Sequence, residues 1–256
     1  MIRINMVIGI IILILTNLSF PILAIELRTA AQDSAPKYFK NKDDIMSGIC
    51  VDIISKIEVT EPQIRFNGYQ EFLPFKRLQN YLENGQLDAF CGLKKTAIRN
   101  QKYLFIDIPL YQLNYVVAVR MDDKVKINSF GDIRLLGKKG RVITIFGTAA
   151  SKFLKKKSGI LIDDNAYSPS TLLKMLIYKR GRFAFYHDLG LQYNIKKENL
   201  EKLVKIIPVS FSKNSHHIAF SKKTPLETID KVKVALKTLK ANGGLSRIHR
   251  KYNLLK

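Results

Sequence analysis

The chain has 256 residues, 46% of them hydrophobic and 25% charged, which is enough apolar material for one large or two small cores in a soluble protein. Its formal net charge of +22 is typical of proteins that bind nucleic acid or anionic surfaces. However, the basic residues are spread along the chain, and no segment combines a dense basic stripe with stacking aromatics. We therefore expect no nucleic-acid partner and a basic, solvated surface, with attraction to anionic lipid or cell-wall polymers left open.

The first 24 residues differ in composition from the rest of the chain. Arg3 is their only charge, and an unbroken apolar stretch covers residues 6–15. This layout predicts a secretory signal peptide over residues 1–24, and hence a mature chain that starts at Ile25 in the periplasm. An uncleaved membrane anchor is the alternative, but the apolar run is shorter than the ~20 residues of a spanning helix.

Strand and helix signals alternate between residues 25 and 120. Short apolar runs are separated by segments with the amphipathic spacing of helices, and one of these ends at a normal cap, Asn84-Gly85. Such alternation predicts βα units and a largely parallel sheet. The predicted elements are a strand from residue 25, a helix after Gly48, a strand at 64–66, a helix at 75–84, a strand at 87–91 and a strand at 114–120.

A second block repeats this organisation between residues 129 and 212. Each block contains a helix, a glycine, a buried strand and a charged residue at the end of that strand, which suggests two similar lobes facing each other. The predicted elements are a short helix from Ser129, a strand at 141–146, a helix after Thr148, a serine-capped helix at 168–178, a strand at 182–188, return strands at 204–209 and 217–220, and a closing helix that starts with a capping box, Thr224 to Glu227.

Arg99 lies in a polar loop that follows the strand at 87–91. In open α/β sheets, ligands bind at the carboxyl ends of the strands. The planar guanidinium of arginine offers donors in a fork that matches a carboxylate. We therefore interpret Arg99 as a candidate ligand-binding residue, with a structural ion pair as the alternative.

An ordered set of residues around Arg99 resembles a known family. It consists of Phe75, Gly85, Asp88, Gly92, Thr96, Arg99, Phe105 and Pro109-Leu110. Further matches follow along the mature chain at Gly147-Thr148, at Gly181 to Asp188 and at Gly244 to Tyr252. In this order and spacing the chain resembles the extracellular solute-binding proteins of family 3, the amino-acid receptors of bacterial ABC importers.

The resemblance implies an α/β protein with the type II periplasmic-binding-protein-like fold, in which two α/β lobes are joined by a two-strand hinge. Lobe 1 would comprise residues 25–112 plus 213–256, and lobe 2 residues 113–212. The ligand would be trapped between the lobes when they close. The resemblance further implies a monomer without a cofactor that delivers its ligand to an ABC permease in the inner membrane.

The resemblance also assigns roles to individual residues. Arg99 would grip the α-carboxylate of a small zwitterionic or anionic solute, which the family leads us to expect is an amino acid, and Asp188 would take its α-ammonium. Phe75 would pack on the ligand or, alternatively, in the core. Gly92, Thr96 and Thr148 match positions around the ligand, whereas Lys94 replaces a small hydroxyl residue and would add a second cation, which could favour an acidic ligand or block the usual pose.

Two other functions and one covalent feature stay open at this point. The same fold hosts dehydratase-like lyases, for which His187 beside Asp188 is the only candidate acid–base pair, and adjacent strand residues point to opposite faces. A stand-alone receptor that presents its ligand to a sensor is the third interpretation. No histidine has metal-ligand spacing, so we expect no metal site and no catalytic residue. Cys50 and Cys91 could pair or remain buried thiols.

Overall fold

The computed structural model describes residues 24–252 and 254. Apart from Ala24, the predicted signal peptide lies outside the described residues. None of the helices in the described part is long and apolar enough to cross a membrane.

Eleven strands are present in the described part of the chain. Most are short apolar runs, and two are much longer than the rest. The strands are β1 (Ile25–Arg28), β2 (Phe39–Lys40), β3 (Met46–Ser47), β4 (Ile64–Asn67), β5 (Ala89–Lys94), β6 (Tyr103–Phe105), β7 (Tyr111–Arg120), β8 (Val142–Ile145), β9 (Ile162–Ala166), β10 (Phe183–His187) and β11 (Val204–Ser221).

Nine α-helices and one 3-10 turn (Gly137–Gly140) connect these strands within residues 24–252. Each longer helix buries one apolar face against a sheet or a neighbouring helix. The helices are α1 (Ile49–Thr60), α2 (Phe75–Asn84), α3 (Ala97–Lys102), α4 (Phe130–Leu135), α5 (Ala149–Leu154), α6 (Pro169–Ile177), α7 (Asp188–Lys197), α8 (Leu226–Ala241) and α9 (Gly244–Lys251).

The protein is a two-lobed α/β protein whose largest described sheet is mixed. This seven-stranded sheet has the order β5-β11-β7-β10-β8-β9, with β6 also paired to β11. Its β8–β9 and β8–β10 pairs are parallel, but β7 and β11 pair antiparallel with each other and with their neighbours. The prediction of a largely parallel sheet is therefore wrong. The alternation of strands and helices in the sequence does not indicate the direction of β7 and β11, the two long strands that pair antiparallel.

Strands β7 and β11 connect the two ends of the sheet. They pair from Val204 opposite Arg120 to His216 opposite Tyr111, with a shift in register between Ile207 and Ser212. The predicted lobe boundaries, 112/113 and 212/213, fall inside this pair. The boundaries of the lobes stay a prediction, and these two strands are the segments that would bend in a hinge motion.

The helix caps test two details of the sequence interpretation. Ser168 caps α6 as predicted, since its side chain accepts a hydrogen bond from the Thr171 amide, and Pro169 occupies the first turn. The predicted capping box at Thr224 is wrong. The Thr224 hydroxyl donates instead to the Asp88 carbonyl, 2.8 Å away, and helix α8 begins after Pro225 without a side-chain cap.

Several elements are absent from the sequence prediction, and three of them bear on the site or the sheet: α3, β9 and α7. Helix α3 has six residues, too few for an apolar period, and α7 begins at Asp188, which we had interpreted as the end of a strand. Both helices begin next to the candidate site, so their absence from the prediction affects its expected geometry.

Candidate functional site

A narrow cleft of about 50 Å³ lies beside β7 and β11. Its lining combines residues from both predicted lobes. Those of lobe 1 are Gln32, Ser34, Lys37, Phe75, Gly92, Leu93, Lys94, Arg99 and His216, and those of lobe 2 are Leu113, Tyr115, Thr148, Ala149, Ala150, Tyr186 and His187.

Arg99 enters the cleft from the short helix α3. Thr96 caps this helix by accepting a hydrogen bond from the Arg99 amide at 3.3 Å, which fixes the first turn. The Arg99 side chain is only 7% exposed, and its Nη1 donates to the Lys94 carbonyl at 3.0 Å. Burial lowers the pKa of Arg99 from its usual value. The guanidinium is thus largely desolvated, and its nitrogens that have no partner among the described residues keep contact with the solvent of the cleft.

Phe75 packs against the Arg99 guanidinium. The Cζ atom of Arg99 lies 5.4 Å from the centroid of the Phe75 ring, within the range of a cation–π contact. The ring also lines the cleft. Phe75 therefore has two roles at the site. It supports the Arg99 guanidinium, and it presents an apolar surface to the cleft beside it.

Gly92 makes room for a lysine that the sequence analysis did not select. A Cβ at Gly92, whose φ is +84°, would lie 2.5 Å from Lys37 Cδ and 2.9 Å from both Cys50 Sγ and the Tyr111 hydroxyl. Lys37 itself is 7% exposed, and its Nζ lies 2.6 Å from Gln32 Oε1. Burial lowers the pKa of Lys37 to about 8. A glycine is required here because any side chain would displace this buried ammonium.

Lys94 contributes a third cation and contacts lobe 2. Its Nζ lies 4.9 Å from the centroid of the Tyr115 ring and 5.9 Å from that of Phe153. Burial and, to a lesser extent, the charge of Arg99 lower the pKa of Lys94. The expectation of a second cation near Arg99 thus agrees with its position, and the structure adds Lys37 as another.

Lobe 2 supplies hydroxyl groups and a neutral imidazole. Thr148 caps α5 by accepting from the Ser151 amide, and its hydroxyl donates to the Ile145 carbonyl at 2.8 Å. His187 caps α7, since its Nδ1 accepts from the Gly190 amide at 2.9 Å. Burial and the nearby charge of Lys37 lower the pKa of His187 to about 3, so its ring is neutral near pH 7. Burial raises the pKa of Tyr186 to about 12.

Two predicted site residues do not line the cleft. Thr96 acts through the cap of α3. Asp188 accepts hydrogen bonds from the backbone and side-chain nitrogens of Asn114, at 3.1 and 3.0 Å, and from the Leu189 amide at 2.9 Å. The buried carboxylate therefore ties α7 to β7, and this geometry does not support its predicted role as the ligand's ammonium partner. An aspartate at the start of a helix can accept hydrogen bonds from the amides of the first turn. The prediction that Asp188 ends a strand does not include these partners.

The polar cleft residues that sequence reasoning missed are Gln32, Ser34, Lys37, Tyr115, Tyr186, His187 and His216. Lys37 lies in a polar loop without periodicity, so only the fold brings it beside Gly92. His187 had been considered solely as an acid–base or metal residue. The local sequence offers one signal for His187, its position as a helix cap. It follows a strand and lies three residues before Gly190, from whose amide it can accept a hydrogen bond.

Possible metal ligands and the two cysteines are the remaining candidates for chemistry in the described part of the chain. Among the described residues, no three His, Cys, Asp or Glu side chains lie close enough together to hold a metal ion. Cys50 and Cys91 are both buried and unpaired in the structure. Burial raises the pKa of Cys91 well above its usual value, so this thiol stays protonated near neutral pH.

The fold and the cleft together define a ligand-binding protein with two lobes. The chain belongs to the bacterial extracellular solute-binding proteins, family 3, whose profile matches residues 27–255. This confirms the resemblance drawn from the motif around Arg99. No curated protein matches the chain significantly.

Solved structures with the same fold include several amino-acid-binding proteins. An ancestral arginine-binding protein bound to arginine is 22% identical, with a TM-score of 0.74 over 89% of this chain and 97% of that one. The GluR0 ligand-binding core from Nostoc punctiforme in complex with L-glutamate is 21% identical, with a TM-score of 0.73 over 88% and 98%. AncCDT-1, an ancestral amino acid-binding protein and precursor of cyclohexadienyl dehydratase, is 20% identical, with a TM-score of 0.73 over 89% and 95%. At these identities the likeness shows the fold alone.

Proposed function

We propose that this protein is a periplasmic receptor that captures a small carboxylate-bearing solute between its lobes and delivers it to an ABC importer. The observation that carries the proposal is the buried guanidinium of Arg99, whose only hydrogen bond within residues 24–252 goes to the Lys94 carbonyl. A desolvated arginine without an acidic partner is costly, and a ligand carboxylate would satisfy it. Arginine and glutamate, the ligands of two similar structures, both carry this group.

Ligand capture would be coupled to closure of the lobes. Arg99 and Lys94 come from lobe 1, whereas Tyr186 and His187 come from lobe 2. A solute that contacts both sets binds the closed form better than the open form, and so shifts the population towards closure. Strand β7 crosses the predicted boundary at 112/113 and β11 the one at 212/213, so this strand pair would carry the motion.

Catalysis is not part of the proposal. His187 has a pKa of about 3 and already uses Nδ1 as an acceptor, so near pH 7 its ring holds no exchangeable positive charge and no free basic nitrogen. Presentation of the ligand to a sensor stays the runner-up to import, and neighbouring genes for a permease and an ATPase would distinguish the two.

A melting screen of the purified protein against amino acids and small carboxylates tests the proposal. A ligand at ~100 times its Kd should add about 2.7 kcal/mol to the free energy of unfolding. For a protein of this size that corresponds to a rise in Tm of roughly 5–11 °C. We expect such a shift for at least one carboxylate class and its loss in Arg99→Met, which keeps an apolar stem of similar length but removes the donors.

Arg77→Met is the matched control. Arg77 is exposed on α2 and lies outside the cleft, so its substitution should leave the ligand shift unchanged. A carboxylate that stabilises the wild type and Arg99→Met equally would refute the role of Arg99. The absence of any shift across the panel would refute the receptor proposal for this class of solute.

A further inference from the structure

The charge of the cleft is one-sided. Three cationic side chains line it, Lys37, Lys94 and Arg99, whereas no Asp or Glu does among the described residues. None of the three takes part in an ion pair within residues 24–252. The carboxylate of Asp188, which follows the cleft residue His187, is held by Asn114 and Leu189. The ligand therefore has to supply the negative charge that balances this group.

Lys37 already engages two of the acceptors that an amino acid's ammonium could use. Lys37 Nζ lies 2.6 Å from Gln32 Oε1 and 3.5 Å from the Gly92 carbonyl. It also lies 5.0 Å from the centroid of the Phe90 ring, so it has a cation–π contact as well. The Lys37 ammonium therefore already uses these acceptors and this aromatic face, which could otherwise bind a cationic group of the ligand.

On the lobe 2 side of the cleft, His187 offers a hydrogen-bond donor. Because His187 Nδ1 accepts from the Gly190 amide, the neutral ring must carry its proton on Nε2. A ring of this tautomer donates a hydrogen bond and accepts none through its remaining nitrogen. The Thr148 hydroxyl donates its proton to the Ile145 carbonyl, so towards a ligand it can only accept. A ligand oxygen is thus better matched to His187 than a ligand ammonium.

The size and the charge count restrict the ligand further. The cleft is small, about 50 Å³, which favours a short ligand. A zwitterionic amino acid would leave all three cations uncompensated, a monocarboxylate two of them and a dicarboxylate one. We infer that the ligand is a short dicarboxylate without an ammonium group, of the size of succinate or glutarate. This inference rests on the proposed function and narrows its ligand class.

Calorimetric titration with two matched ligand pairs tests the inference. Succinate and aspartate differ only by the ammonium group, and so do glutarate and glutamate. We expect the diacid of at least one pair to bind ten times more tightly than its amino counterpart, and acetate and propionate to bind more weakly still. Lys94→Met should weaken the diacid at least tenfold, and Lys37→Met should reduce its preference over the amino diacid to less than threefold.

The outcomes separate this inference from the proposed function. Tighter binding of aspartate, glutamate or a neutral amino acid, lost in Arg99→Met, would overturn the dicarboxylate assignment and leave the receptor proposal standing. Equal affinities for acetate and succinate would also overturn it. If no carboxylate of any kind binds, both proposals fail. Lys56→Met, on the exposed face of α1, serves as the charge-matched control and should not change either ratio.

Discussion

The burial of Lys37 in the cleft lowers the stability of the folded protein. Its ammonium is buried, has one close hydrogen-bond partner in Gln32 and lies in the same cleft as Arg99. Transfer of a charge from water into such a site is unfavourable unless an opposite charge compensates it. The lowered pKa of Lys37, about 8 against an ordinary value of 10.5, expresses this cost.

The pKa of Lys37 predicts how stability changes with pH. Between about pH 8 and 10.5 the unfolded chain keeps the Lys37 proton while the folded protein has lost it, so this residue makes the free energy of unfolding rise with pH. The full penalty, about 3 kcal/mol, is present below pH 8 and is absent above 10.5. We expect Lys37→Met to be more stable than the wild type at pH 7, with a difference that shrinks by pH 10.

Urea unfolding at the two pH values measures this difference. Lys56→Met, at an exposed position, should show no such change between pH 7 and pH 10. A stability difference between the wild type and Lys37→Met that is the same at both pH values would show that the Lys37 ammonium carries no burial penalty.

At the scale of secondary-structure elements, helix α3 decides where Arg99 lies. The helix has only six residues, and such a short helix is marginal without a cap. Thr96 supplies the cap, and Phe75 holds the guanidinium from α2. The Thr96 cap therefore helps to fix the position of the Arg99 guanidinium, the proposed ligand-binding group.

Removal of this cap should affect both stability and binding. Thr96→Ala should cost about 1 kcal/mol of stability, as other cap substitutions do. If α3 frays to that extent, the affinity for the carboxylate found in the melting screen should fall about fivefold. Urea unfolding and calorimetric titration of the same variant give the two numbers.

Ser168→Ala provides the matched control for this prediction. Ser168 caps α6 in the same way, through the Thr171 amide, but it does not line the cleft. It should lose similar stability and keep its affinity. Equal losses of affinity in both variants would mean that the cap acts through overall stability and not through Arg99.

The sequence predicted elements better where a signal is local. The Gly85 cap, the Ser168 cap and the buried run at β10 were readable from neighbouring residues. The orientation of β7 relative to β11 was not, because it depends on pairing between segments about 100 residues apart. For the same reason the sequence indicated Arg99 and Lys94, whereas Lys37 and the hydrogen bonds of Asp188 needed the folded chain.

At the scale of the whole molecule, the two sides of the cleft have different characters. Lobe 1 brings the three cations, and lobe 2 brings hydroxyls, the neutral His187 and the Tyr115 ring beside Lys94. Closure removes water from these cations, which is unfavourable without a counter-charge, and an anion between the lobes supplies that charge. A ligand would therefore stabilise the closed form by compensating charge as well as by forming contacts.

The central claim is that Arg99 is kept for a ligand and not for the fold. Its most direct test is the free energy of unfolding of Arg99→Met, compared with the wild type by urea unfolding without any added solute. Our account predicts that the variant is as stable as the wild type or more stable by about 1–2 kcal/mol, because a buried charge without a counter-ion is replaced by an apolar side chain. A loss of ~3 kcal/mol or more, the cost of breaking a buried ion pair, would contradict it and make Arg99 a structural residue.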